Sequence, residues 1–462
     1  MAEGGVGLAG PLAGITILDL STLLPGPYAT WLLRRLGARV IKVERTGRGD
    51  PMRSVYPTTF TLLNADKESV AIDLKKPAGR GLVLELARQA EVFVEGFRPG
   101  VAERLGVGYE QVRSVRPDVV YCSLSAYGAT GPWSGQPAHD VNILALTGVL
   151  SVSGAPEGGP SWPGGLQWAD LASALFAALE IVATLLGRRR GDTAAAGHAA
   201  ERGDEGGSDG LAPASHLDLS MLDAVLQLAL PRLSEYLGAG RPDRRAFLTR
   251  AGYGAFEAGD GRWLSLACIE DPFWERLRDL LQLDEPWVNA QASDAKAAAD
   301  GEASAADAAR AADGVAGADA APARGTRGAG WSLRNLYATS VNRQIAQRLH
   351  TRGRDEWLAV MAERDIPAAP VYSLDEVAAH PLLRNRSLPA PLSATGATPC
   401  EAALRATGPQ RPLLGEHTLE VLGVLRQPEE LRALAEAGVI ATAEAGAGGG
   451  AGTAVGEASG RT

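Results

Sequence analysis

The chain places a histidine and two aspartates where loops lead into helices, and these residue types can exchange protons. His139 and Asp140 follow the turn-rich stretch GATGPWSGQPA and precede the apolar run VNILALTGVL. Asp170 comes 31 positions after His139, just before a long apolar segment with helical character. An imidazole with an ordinary pKa of about 6.5 exchanges protons near neutrality, and burial can raise a carboxyl pKa toward that value. The pattern therefore predicts a site of chemistry at these junctions.

Each of these residues also has an ordinary structural interpretation. A histidine at such a junction is often a hydrogen-bonded structural residue, and an aspartate before a helix commonly serves as its N-cap. The same geometry directs backbone N–H groups and the positive helix end at a ligand oxygen. Capping and catalysis at Asp170 are therefore compatible.

Other motifs are excluded by their context. Gly5–Gly10 (GVGLAG) has the spacing of a dinucleotide fingerprint but precedes the first predicted strand, whereas that motif must follow one. The chain contains neither a P-loop, an HExxH motif nor a GxSxG elbow. Cys122, Cys268 and Cys400 are far apart and lack metal-ligand spacing, so we predict neither a disulfide scaffold nor a metal site.

Apolar strand-like and helical segments alternate along the first part of the chain. Alternation of this kind predicts an α/β fold with a parallel sheet. The strand-like segments are Ile15–Leu20, Ala38–Val43, Ser69–Leu74, Val92–Val94 and Val119–Leu124, and the helical ones include Tyr28–Leu36 and Gly79–Ala90.

Three segments interrupt this pattern. Residues 191–215 and 289–330 and the tail 441–462 consist mainly of small and charged residues with few large apolar side chains. Such segments bury too little surface to offset their ordering entropy, so we predict flexible insertions and a disordered tail.

Composition narrows the class of protein. The 462 residues carry a net charge of −9, which disfavours nucleic-acid binding. Residues 1–120 contain 16 Lys and Arg against 13 Asp and Glu, a local surplus that fits either an anionic ligand or a solvated surface. The sequence shows neither a signal peptide nor an apolar run of the roughly 18–20 residues that a membrane span needs. We therefore predict a cytoplasmic enzyme with no membrane partner.

Several ordered blocks resemble family III CoA-transferases and α-methylacyl-CoA racemases, a superfamily also called CaiB/BaiF-like. They include LAGITILDLSTLLPGPYATWLLRRLGARVIKVERTGRGDPMR, NADKESVAIDLK, VEGFRPGVAERLGVGYE, YCSLSAYGATGP and AHDVNILALTGVLS. Later stretches, AGYGAFEAGDGRWLSLACIE, IPAAPVYSLDEVAAHPLLRNR and LLGEHTLEVLG, fit as well. The resemblance covers roughly residues 11–190, 216–285 and 331–425.

The resemblance implies a large Rossmann-like α/β domain built from both chain ends, a smaller α+β domain, and an interlocked homodimer. We place the first part of the large, CoA-binding domain at residues 11–205 and the small domain at residues 216–330. Residues 331–440 are then the linker and the return to the large domain.

The resemblance also implies contacts to coenzyme A, which is bound as part of the acyl-CoA substrate, with no separate cofactor. Carried over by matched position, these contacts fall on Arg45, Lys67, Arg98, Arg104 and Asp140. Guanidinium groups suit this role because they pair with phosphate through two parallel hydrogen bonds.

The two branches of the superfamily differ in chemistry. In the transferases the residue matching Asp170 attacks the thioester and forms an acyl anhydride. In the racemases that aspartate and a residue matching His139 exchange the α-proton from opposite faces, and a residue matching Glu270 orients the histidine. All three positions carry the racemase residue types, so the prediction favours racemisation of 2-methyl-branched acyl-CoA through an enolate. CoA transfer to a carboxylate is the alternative, and a non-catalytic acyl-CoA-binding protein is a third.

Overall fold

A computed structural model describes residues 10–156, 158–189, 214–238, 240–241, 244–285, 337–381, 406–408 and 410–443. The predicted insertion 289–330 lies outside these residues. So do the insertion 191–215, except for its last two positions, and the tail 441–462, except for its first three.

The chain divides into two compact units. The first takes in residues 1–147, 165–228 and 381–462, and the second takes in residues 148–164 and 229–380. This division confirms the predicted fold class, a large parallel-sheet domain from both chain ends and a smaller domain between them. The boundary differs after residue 331, because the strand at 368–370 pairs within the small sheet.

The first unit is built on a seven-stranded sheet in the order β10-β3-β2-β1-β4-β5-β6. Strands β1 to β6 pair in parallel, and the short β10 joins the edge antiparallel to β3. Chain order reverses on the two sides of β1, as in doubly wound dinucleotide-binding folds. The strands are β1 (Thr16–Asp19), β2 (Arg39–Glu44), β3 (Glu68–Ile72), β4 (Val92–Glu95), β5 (Val120–Ser125), β6 (Ser215–Ser220) and β10 (Ile440–Ala441).

Apolar residues on both sides of each strand explain this buried sheet. In β1, Ile17 packs into the core on one face and Leu18 into the core on the other, because successive side chains point to opposite faces. The helices of this unit are α1 (Pro25–Arg35), α2 (Met52–Val55), α3 (Pro57–Asn64), α4 (Pro77–Ala87), α5 (Val101–Arg104), α6 (Tyr109–Val115), α7 (Asp140–Leu146), α8 (Trp168–Arg189), and two near the C-terminus, Thr418–Gly423 and Pro428–Glu436.

The second unit has a three-stranded antiparallel sheet of β7 (Tyr253–Glu257), β8 (Trp263–Ala267) and β9 (Ala368–Pro370). Its core contains Leu264, Trp274 and Trp357. Besides a 3₁₀ helix at Val149–Val152, its helices are α10 (Arg244–Leu248), α11 (Asp271–Leu281), α12 (Ala338–Leu349), α13 (Arg354–Glu363) and α14 (Leu374–Ala379), while α9 (Met221–Gly238) begins in the first unit.

Helix α8 has two different faces. Its buried face packs small residues, including Ala174 and Ala177, into the core formed with α1 and the sheet. The opposite face exposes large apolar side chains at positions 168, 175, 179 and 186, with Leu179 62% exposed. Among the described helices, only the segment Trp168–Arg188 is long and apolar enough to cross a membrane, and half of it is buried inside the fold.

The exposed leucines of α8 provide a test of the predicted homodimer. If a second copy covers this face, Leu175→Lys together with Leu179→Lys will place two charges in a desolvated interface and dissociate the dimer. Light scattering after size exclusion should then give the monomer mass. Leu419→Lys, at an exposed leucine on another helix, is the matched control and should leave the mass unchanged. A dimer that survives the α8 substitutions would remove this face from the interface.

Candidate active site

The first turns of α7 and α8 are joined by one hydrogen bond. The Asp140 carboxylate, at the first residue of α7, accepts the backbone N–H of Ala169 in α8 at 2.6 Å. Asp140 is only 5% exposed. It therefore satisfies an amide of α8 that has no partner within the helix. This role differs from the CoA contact predicted for Asp140.

Asp170 lies beside this bond, in the first turn of α8. The helix begins three residues earlier than an N-cap at Asp170 would place it, so Asp170 is its third residue. Burial raises the pKa of the Asp170 carboxyl to about 7, and the negative charge of Asp140 adds to the increase. A carboxylate with so high a pKa is a stronger base and nucleophile than an ordinary aspartate, and a large share of it is still ionised at neutral pH.

The end of α8 opposes this shift only weakly. A helix N-terminus favours a nearby negative charge by about 0.3–1 kcal/mol, whereas one pKa unit corresponds to about 1.4 kcal/mol. The helix end therefore offsets less than one unit, and burial dominates the pKa of Asp170.

His139 is the N-cap residue of α7 and is exposed. Its backbone N–H donates to Asn142 Oδ1 at 3.0 Å, which fixes the start of the helix. Because Asp140 bonds to Ala169, the neighbours His139 and Asp170 lie at the same helix junction. The structure thus brings together two of the three predicted catalytic residues.

Glu270 belongs to the second unit, where it is the exposed N-cap residue of α11. Because Glu270 and His139 belong to different units, their predicted pairing stays a prediction.

Three of the predicted CoA contacts lie at the carboxyl edge of the large sheet. Arg45 directly follows β2, Arg98 follows β4, and Arg104 ends the short helix after β4. All three are exposed, and within the described residues their guanidinium groups form neither hydrogen bonds nor ion pairs. β2 and β4 flank β1, where the strand order reverses, and this is where such sheets bind ligands. Their role in CoA binding stays a prediction that this position favours.

Lys67, the fourth cation, has a different environment. Its ammonium donates to Asp19 Oδ2 at 3.2 Å, the Pro27 carbonyl at 3.0 Å and Thr30 Oγ1 at 2.7 Å. These acceptors match its three donors, and the residue is 2% exposed. The structure therefore corrects the predicted CoA contact: Lys67 ties the end of β1 and the N-terminal half of α1 to the start of β3.

The charges around Asp19 stabilise its ionised form despite burial. Burial alone would raise the pKa of Asp19, but Lys67 and Lys42 nearby, with hydrogen bonds from Ser21 and Thr30, lower it to about 2. Burial lowers the pKa of Lys67 to about 8, although Asp19 opposes this effect. The pair is ionised at neutral pH inside the protein.

The chain belongs to CoA-transferase family III, whose family model matches residues 12–418. It is 32% identical over 287 residues to an acetyl-CoA:oxalate CoA-transferase of Acetobacter aceti, covering 60% of this chain and 68% of that protein. It is 28% identical to a succinate–glutarate CoA-transferase of Agrobacterium fabrum, covering 91% of this chain and 96% of that protein. A mouse succinyl-CoA:glutarate CoA-transferase is 43% identical over a shorter alignment, 39% of this chain and 43% of that protein.

Solved structures share the fold of this chain. A CaiB/BaiF family protein from Brucella suis has the same fold, with a TM-score of 0.65 over 90% of this chain and 100% of that chain, at 24% identity. The Mycobacterium tuberculosis protein Rv3272 is 26% identical, with a TM-score of 0.58 over 81% of this chain and 86% of that one.

The names of these relatives favour the predicted alternative, CoA transfer, over racemisation. The residue types at positions 139, 170 and 270 favoured a racemase, yet the named relatives are CoA-transferases. A histidine and a carboxylate at one helix junction satisfy the requirements of either reaction, which explains why residue types alone did not separate them.

Proposed function

We propose that the chain is a CoA-transferase that moves coenzyme A from an acyl-CoA to a carboxylic acid, with Asp170 as the nucleophile. The observation that carries the proposal is the half-buried carboxylate in the first turn of α8, whose pKa of about 7 makes it reactive at neutral pH. Dicarboxylic acids are the acceptors to test first, because the similar transferases are named for oxalate and glutarate.

CoA transfer through an anhydride needs an enzyme carboxylate that attacks the acyl group, later acts as the leaving group and is thereby regenerated. Asp170 attacks the thioester carbonyl, the C–S bond breaks, and an aspartyl–acyl anhydride forms with release of the CoA thiolate. The acceptor carboxylate then attacks the aspartyl carbonyl and displaces the original acid. Finally the thiolate attacks the acceptor's carbonyl, which yields the new thioester and restores Asp170.

The helix junction suits the first step. If Asp170 attacks a thioester carbonyl, that carbonyl comes close to the positive end of α8, and amides in a first turn stabilise the oxyanion that develops on it. Asp140 occupies the Ala169 amide, so it sets the position of the first turn relative to α7. The proposal also keeps the predicted homodimer and cytoplasmic location.

Proton exchange at the α-carbon is the second candidate, favoured by the position of His139 at the same junction. One experiment in deuterated water separates the two. Succinyl-CoA with glutarate or oxalate should give a new thioester only when the acceptor is present. A 2-methylacyl-CoA alone should remain free of deuterium at its α-carbon. If deuterium enters the α-carbon without any acceptor and no new thioester forms when an acceptor is present, the protein is a racemase and not a transferase.

Asp140→Asn is expected to shift the pH dependence of activity. Asp170 must be ionised to attack, so kcat/KM of the wild type should rise with pH through about 7 and level off above it. The variant keeps a side-chain oxygen that accepts the Ala169 N–H but removes the negative charge beside Asp170. The pKa of Asp170 should therefore fall, and the rise of kcat/KM should occur at lower pH. Rates measured from pH 5 to pH 9 check this. An unchanged profile would mean that Asp140 does not influence the ionisation that limits activity.

A further inference from the structure

The turn after β4 is held by a buried carboxylate. Glu95, the last residue of β4, is 5% exposed, and its Oε2 accepts the backbone N–H of Phe97 at 2.7 Å. The Phe97 ring packs against the core on the same side of the sheet. The turn is thus fixed at both ends, and the next residue, Arg98, is directed to the surface.

Neighbouring strands support Glu95. Ser123 of β5 lies directly opposite it in register, so their side chains share a face, and the Ser123 hydroxyl opposes the rise in the pKa of the Glu95 carboxyl. Ser123 Oγ also lies 2.9 Å from Nε2 of His216 in β6. The His216 ring stacks on Tyr109, with 4.8 Å between ring centroids. Glu95, Ser123 and His216 form a polar row across three strands.

This row is costly for stability. Burial raises the pKa of the Glu95 carboxyl to about 7, against the hydrogen bonds from Ser123 and Phe97, and the charges of Glu103 and Asp218 raise it further. A buried acid that resists ionisation stabilises a fold less than an apolar residue of similar size. Shifted carboxyl groups of this kind are typical of functional sites.

The turn lies at the place where the sheet order reverses. β1 and β4 are parallel neighbours in the sheet. The chain leaves β1 toward β2 on one side and leaves β4 toward β5 on the other, which opens a crevice beyond their carboxyl ends. The turn after β4 touches the loop after β1: a Cβ on Gly96 would lie 3.5 Å from Ser21 Cβ. A shift of this turn would move Arg98 relative to the crevice.

We propose that Glu95 is a positioning residue for coenzyme A, which holds the turn so that Arg98 meets the phosphates of the nucleotide. This inference rests on the proposed function only for the CoA site, not for the transfer reaction. Glu95 touches no substrate in this account. It acts through the Phe97 amide, and the Ser123–His216 pair keeps its carboxylate aimed at that amide.

Binding of CoA and of pantetheine, measured by calorimetry at pH 8, tests the proposal. Glu95→Gln should weaken CoA binding about tenfold through loss of a charge-assisted hydrogen bond, and should leave pantetheine binding unchanged. Arg98→Ala should also weaken CoA alone, and adding Glu95→Gln to it should cause little further loss, because both act through one contact. Glu110→Gln, at an exposed glutamate in the first turn of α6, is the matched charge control and should bind as the wild type does.

Equal losses for CoA and pantetheine, or full additivity with Arg98→Ala, would overturn the proposal. If Glu95→Gln does not fold, Ser123→Ala takes its place. This variant should lose less affinity for CoA and none for pantetheine. An unchanged affinity for CoA would contradict the proposal. A wild type that binds CoA but transfers none would refute the transfer reaction alone. A wild type that binds no CoA would overturn both.

Discussion

Asp170→Asn should lower kcat for CoA transfer by roughly four orders of magnitude or more, because the amide cannot form the anhydride through which the reaction passes. Thioester exchange between an acyl-CoA and a dicarboxylic acid, followed by mass spectrometry, measures the loss. CoA binding should persist, because the predicted phosphate contacts lie at the sheet edge. His139→Ala is the informative companion: a transferase removes no proton from carbon, so its rate should fall only modestly. A dead His139→Ala with an active Asp170→Asn would contradict the account.

The stability of Asp170→Asn provides a control for folding. The pKa of Asp170 is raised from 3.8 to about 7 in the folded protein, so its ionisation disfavours folding as pH rises through that range. The neutral amide avoids this cost. The variant should therefore have a higher Tm than the wild type at pH 8, and the difference should vanish near pH 4. A lower Tm at pH 8 would mean that loss of activity reports damage to the fold.

Lys67→Met should lower the free energy of unfolding by about 3 kcal/mol, because it leaves the Asp19 carboxylate buried without its ion-pair partner. We take the lower end of the usual range because Lys42 also stabilises the charge of Asp19. Denaturant unfolding at pH 7 measures the change. Lys75→Met, at an exposed lysine, is the matched control and should cost less than about 0.5 kcal/mol.

The same variant separates the two roles considered for Lys67. A CoA contact predicts weaker CoA binding with unchanged stability, whereas the interior position predicts the reverse. Under conditions where the variant is folded, its affinity for CoA should therefore remain close to that of the wild type. A large loss of affinity without loss of stability would restore the contact that the sequence suggested.

The alternation of apolar segments was enough to predict the large sheet, because a parallel strand buried on both faces shows as a continuous apolar run. Strand β10 is only two residues long and pairs antiparallel at the edge, so no local pattern marks it. β9 likewise pairs with β8, about a hundred residues earlier in the chain. This pairing places residues after 331 in the small domain, beyond the boundary that the sequence predicted.

The site was less predictable than the fold, because its decisive contacts link residues far apart in sequence. The bond from Ala169 to Asp140 spans 29 residues, and the one from Lys67 to Asp19 spans 48. A lysine in NADKES looks like a surface cation until the strands around it are assembled. Glu95 also escaped notice, although an acid that ends a continuous apolar strand, VFVE, is a signal that could have found it.

The most direct test of the account is to trap the acyl group on Asp170. The protein is incubated with succinyl-CoA and no acceptor, quenched with hydroxylamine, digested and examined by peptide mass spectrometry. An anhydride at Asp170 predicts a hydroxamate at that residue in the wild type and none in Asp170→Asn. An unmodified Asp170 in a protein that nevertheless exchanges CoA in the presence of an acceptor would contradict the nucleophilic role at the centre of this account.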